Sequence, residues 1–69
     1  MRLSTRNQLA GTVISVNPGS VMTTVKVDVS GQEVTAAITK EAAEDLGLAA
    51  GVPVTVLVKS TEVMLAVED

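Results

Sequence analysis

Apolar residues recur at every second position along most of this chain, which is the spacing of strands that bury one face. Between Val21 and Val29 the alternation is unbroken: Val21, Thr23, Val25, Val27 and Val29 share one face, and Met22, Thr24, Lys26 and Asp28 the other. Leu9 to Val16 sets Leu9, Gly11, Val13 and Ser15 against Ala10, Thr12, Ile14 and Val16, and its glycine permits a bend or bulge. Glu33 to Ile38 turns Val34, Ala36 and Ile38 inward, and Val54–Val58 and Val63–Val67 complete five predicted strands. Asn17-Pro18-Gly19-Ser20 and Ser30-Gly31-Gln32 are turn sequences, because Pro fixes one φ and Gly supplies a positive one.

After Ile38 the pattern changes. Thr39 is a good N-cap for the run Lys40–Leu46, acidic residues favour the start of such a helix, and Gly47 stands where a left-handed C-terminal residue is expected. Five short strands with one helix between the third and fourth predict an all-β fold carrying one short helix. The architecture expected is a five-stranded Greek-key barrel of the oligonucleotide/oligosaccharide-binding (OB) type, with a two-sheet sandwich as the alternative.

Composition narrows the setting of this fold. Sixty-nine residues make one domain, 1–69, too short to bury a large share of its surface alone. Without Cys or His, disulfides are impossible and a zinc site has no soft or imidazole ligands, so self-association is the expected source of stability. No aromatic residue is present, and the core falls to aliphatic side chains, thirteen of them Val. A net charge of −3 with five basic residues argues against nucleic acid, which needs a basic face and, for single strands, aromatic platforms. The opening Met1-Arg2-Leu3-Ser4 lacks the apolar run of a signal peptide and no window reaches a membrane span, which points to the cytoplasm. No carboxylate is tied to a nucleophile or metal ligand, so no enzyme is expected.

Two polar islands stand out at opposite ends: Ser4-Thr5-Arg6-Asn7-Gln8 and Lys59-Ser60-Thr61-Glu62-Val63. Each sets a cation beside hydroxyl and backbone donors, the chemistry that holds a small oxyanion. Arg6 offers a planar fork, Ser4 and the Asn7 amide offer neutral donors, and Lys59 brings a point charge beside the Ser60 hydroxyl. As bare residue types the same stretches also read as a chain terminus and a polar turn.

The segment Ser4-Thr5-Arg6-Asn7-Gln8-Leu9-Ala10-Gly11 resembles the Ser-Ala-Arg-Asn-Gln opening of the molbindins, the molybdenum-pterin-binding (Mop) family, whose subunit is a TOBE-type module. Val58-Lys59-Ser60-Thr61-Glu62-Val63-Met64 is similar to that family's closing Ile-Lys-Ser-Thr-Asp-Val-Met, with Ile38-Thr39, a helix and Leu46-Gly47-Leu48 between them in the same order. The resemblance implies that Ser4, Arg6, Thr39, Lys59 and Ser60, with Asn7 as a lesser candidate, bind molybdate or tungstate at a site shared between subunits. The anion would be held by hydrogen bonds, with no side chain coordinating the metal directly. A helix Ser that contacts the anion in some relatives is replaced here by Ala42. A second class of anion site near subunit axes would fall on Gly19, Ser20 and Val21. The resemblance further implies a storage or homeostasis role and a homo-oligomer, a hexamer built as a trimer of dimers. The alternative function is a small regulatory module that senses molybdate and acts through a protein partner. A pterin carrier is disfavoured, since no aromatic is present to stack on the ring.

Overall fold

The computed structural model describes residues 2–69. Its strands are β1 (Asn7–Pro18), β2 (Met22–Val29), β3 (Gln32–Thr39) and β4 (Pro53–Val58), with a helix, α1 (Lys40–Asp45), between β3 and β4. They form one antiparallel sheet in the order β3-β2-β1-β4. The chain is thus β with one short helix, as its alternation predicts.

The inward face of β2 carries Thr23, Val25 and Val27, all buried, opposite Ile38, Ala36 and Val34 of β3. The tight turn between these strands is Ser30-Gly31, with φ of 51° and 87°, the paired positive angles that match the twist of a two-residue hairpin. Strand β3 therefore starts at Gln32, one residue before its expected start.

Strand β1 differs from expectation in phase. Val13 pairs with Val27 but Ser15 with Lys26, so Ile14 is an extra residue, and the bulge brings Val16 round to the inward face with Val13. The expected faces, with Ile14 beside Val16, hold only up to that point. Across the sheet, the regular β1–β4 ladder ends at Thr12 and Pro53, just before this bulge. Val13 instead donates to the Val52 carbonyl at 2.9 Å and accepts from Gly51 N–H at 2.8 Å. The bulge thus sits three residues beyond the glycine suggested for it.

Gly11 has a different task. A Cβ there would lie 2.7 Å from Val27 Cγ1 and 2.8 Å from the Asp28 carbonyl oxygen, so β1 and β2 approach each other because this residue has no side chain. Gly11→Ala is expected to destabilise the protein by about 1–3 kcal/mol, the range for overpacking a core. The midpoint of urea unfolding measures it.

Thr39 caps α1 as its position predicts, with its hydroxyl accepting from Ala42 N–H at 3.1 Å. At the other end Gly47 takes φ 64° and Leu48 N–H closes on the Ala43 carbonyl at 3.2 Å. Ala43 is the buried residue of the helix, and Leu48, Val52, Val54 and Val56 pack, partly buried, against the valine core.

The barrel is not closed within the chain. Strands β3 and β4 are sheet edges, and Val63–Val67, expected as a fifth strand, enters no ladder. Met64, Leu65 and Val67 are 91%, 93% and 88% exposed. Alternation identifies residues fit for a strand, but a strand exists only through a neighbour, and this segment has none among the described residues.

Candidate functional site

The ladder between β1 and β4 begins at Asn7 and Val58. That pairing places Arg6 and Lys59, which flank it in the sequence, at the same end of the sheet. Beyond Val58 the chain takes a 3-10 turn over Ser60–Glu62, closed by Glu62 N–H on the Lys59 carbonyl at 2.9 Å. The first N–H groups of such a turn have no partner inside it. Before Asn7, the Gln8 side-chain amide donates to the Thr5 carbonyl at 2.7 Å and fixes the bend of the first island.

The two islands therefore meet, in a cleft of about 190 Å³ lined by Ser4, Thr5, Arg6, Lys59, Ser60 and Thr61. Two cations line it and no carboxylate does, although the chain carries eight acidic residues against five basic ones. With four hydroxyl side chains on the same walls, the cleft presents donors and positive charge to whatever enters. Ser4, Arg6, Lys59 and Ser60, expected as anion donors, line it, and so do Thr5 and Thr61, which the expected site does not include.

Asn7 stands apart from these. It is half-buried and outside the lining of the cleft, and one of the two N–H groups of its Nδ2 donates to the Val58 carbonyl at 3.0 Å across 51 residues of sequence.

Thr39 lies elsewhere. It pairs with Met22 near the far end of the sheet, roughly 30 Å along β1 from the cleft at the strand's rise per residue. It lines a separate concavity of about 510 Å³ with Ser20, Val21, Lys40, Glu41 and Glu44. Ala42 places a methyl where a hydroxyl could have stood, and its N–H is taken by the Thr39 cap. Ser20 and Val21 thus share a concavity with Thr39, whereas Gly19 lines a neighbouring groove of about 580 Å³ with Thr23, Ala43 and Leu48. The Thr23 hydroxyl is buried with no hydrogen-bond partner among the described residues. Among the same residues no cluster of three or more acidic, His or Cys side chains could hold a metal ion, and no helix is long and apolar enough to cross a membrane.

The TOBE domain family matches residues 3–65. The chain is 41% identical over 66 residues to molybdenum-pterin-binding protein 3 of Clostridium pasteurianum, spanning 94% of this chain and 97% of that protein. It is 45% identical over 69 residues to the molybdenum transport protein ModE of Azotobacter vinelandii, of which it covers 26%. The solved structure of a molybdate binding protein from Sporomusa ovata superposes with a TM-score of 0.91 at 42% identity, over 96% of this chain and 98% of that one. These matches span both islands and the fold between them, and the chain belongs to the TOBE-domain family and, within it, to the molbindins, the small molybdenum-pterin-binding proteins.

Proposed function

We propose that this chain binds molybdate or tungstate reversibly and serves to store or buffer the oxyanion in the cytoplasm. The observation that carries this reading is the meeting of the two islands in one cleft furnished with Arg6, Lys59 and four hydroxyl groups. A dianion entering it gives up water, and that cost is offset by charge-assisted hydrogen bonds from both cations and by neutral donors held on the sheet. Discrimination against sulfate follows from size: an anion too small to reach every donor leaves some unpaired. The relatives named above are binding and transport proteins, and the chain is read as a binding protein, not an enzyme.

The site is read as shared between subunits. Ser4, Arg6, Lys59 and Ser60 come from one chain, and Thr39, too distant to join them, comes from a second copy. The same association closes the five-stranded OB-like barrel, with Val63–Val67 of one copy entering the gap between the β3 and β4 edges of the other. Unpaired edges and a protruding apolar segment of strand length support this reading. The whole chain acts as one module in a hexamer, a trimer of dimers, with Ser20 and Val21 near an axis as a second anion site. The similarity to a quarter of ModE favours a second reading, in which the same module senses molybdate for a protein partner.

Calorimetry at matched ionic strength tests the main reading. Molybdate and tungstate are expected to bind and to raise the melting temperature, as ligands of the folded state must, while sulfate and phosphate bind far more weakly. Equal heats for sulfate and molybdate would reduce the cleft to a general anion trap.

A further inference from the structure

We infer that Asn7 is a positioning residue of the oxyanion cleft, a latch that sets Arg6 against Lys59 without itself touching the anion. The inference rests on the reading of the cleft proposed above. Asn7 directly follows Arg6, and Val58 directly precedes Lys59. The bond from Asn7 Nδ2 to the Val58 carbonyl, at 3.0 Å, therefore joins the two cation-bearing stretches. It lies at the last rung of the β1–β4 ladder, beyond which no backbone pairing among the described residues holds the two stretches together.

An empty cleft has two like charges on its walls, and their repulsion favours fraying at this rung. A half-buried amide bond there opposes fraying and keeps the cleft formed before the anion arrives. Preorganisation of this kind raises affinity by removing the cost of ordering the walls on binding. Gln8 acts one residue on, holding the Thr5 carbonyl at 2.7 Å, but it bridges only the first island to itself. The latch between islands is Asn7.

The test is a double-substitution cycle on the full-length protein, read as molybdate affinity by calorimetry. Asn7→Ala is expected to weaken binding roughly three- to ten-fold, the worth of one hydrogen bond. It is also expected to narrow the preference for molybdate over sulfate, because loosened walls no longer measure the anion. In an Arg6→Ala background, where alignment of Arg6 no longer matters, Asn7→Ala should cost almost nothing further. A direct donor would instead lose the same factor in both backgrounds, and that additivity overturns the inference. A purely structural role would lower the melting temperature of the free protein while leaving affinity and selectivity intact, and that result overturns it too. Asn7→Ser, which keeps a short donor and the polar surface, covers failure of the alanine variant to fold. It should give an intermediate loss, and unchanged affinity there counts against the latch. If the unsubstituted protein binds no molybdate, the cleft reading fails and the latch with it. Binding that Asn7→Ala leaves unmoved defeats the latch alone.

Discussion

Arg6→Ala and Lys59→Ala should each weaken molybdate binding by about 1.5–3 kcal/mol, the range for hydrogen bonds to a charged group, which is a ten- to hundred-fold or greater loss. Arg6→Lys should recover part of this, because a point charge replaces the attraction but not the two-pronged geometry. Mixing variant chains separates the groups supplied by one subunit from those supplied by two. Both cations line the cleft of a single chain, so mixing Arg6→Ala with Lys59→Ala chains should restore nothing: every cleft still lacks one cation. Mixing Arg6→Ala with Thr39→Ala should regain a share of intact sites if Thr39 reaches the anion from a second copy. Competition calorimetry on refolded mixtures reads both outcomes. Unchanged affinity in both single variants would make the islands ordinary turns and sink the function proposed here.

The second large effect concerns the C-terminal segment. Removing residues 63–69 should abolish the oligomer and leave a chain that does not hold a cooperative fold at micromolar concentration. Fully burying side chains the size of Met64, Leu65 and Val67 contributes about 1.5–3 kcal/mol each, and these are close to fully exposed in the single chain. A closed barrel would also cover the half-buried Val54, Val56, Ala36 and Ile38. Leu65→Asp, which keeps the length and places a charge in the contact, should raise the dissociation constant a hundred-fold or more. Sedimentation across a concentration series measures both variants. A compact, folded monomer of the unsubstituted protein would refute the assembly.

Much of this was open to reading from residues alone, and the exceptions share a cause. Strand β2 could be read, apart from Val21, which is exposed one residue before its start, because Thr23, Val25, Val27 and Val29 alternate with Thr24, Lys26 and Asp28, and the Thr39 cap because its chemistry is local. The bulge at Ile14 was not, since it is a shift of register between β1 and β2, a fact about pairing and not about alternation within either strand. Pro18 was assigned to a turn but closes β1 opposite Thr23, at the end of a ladder where a missing N–H costs little. Val63–Val67 has the alternation of a strand but no ladder partner among the described residues, because periodicity reports a face and says nothing of who covers it. The cleft was half legible. Its cations stood out by charge, whereas Thr5 and Thr61 carry no signal until the Asn7–Val58 rung brings their stretches together.

The open edges also bear on how the molecule comes to be folded. The β1–β2 and β2–β3 hairpins close over short turns and can form early, while pairing Asn7 with Val58 must bring together residues 51 apart and comes later. If a second copy supplies the last strand, the final step is an encounter between molecules, and its rate rises with concentration where the earlier steps do not. Dilute refolding should then stall at a four-stranded intermediate. Until a copy arrives, that intermediate displays two unpaired edges and a Val-Met-Leu-Ala-Val segment, so correct closure and mispairing are both encounters between molecules, and raising the concentration speeds the one only by also feeding the other.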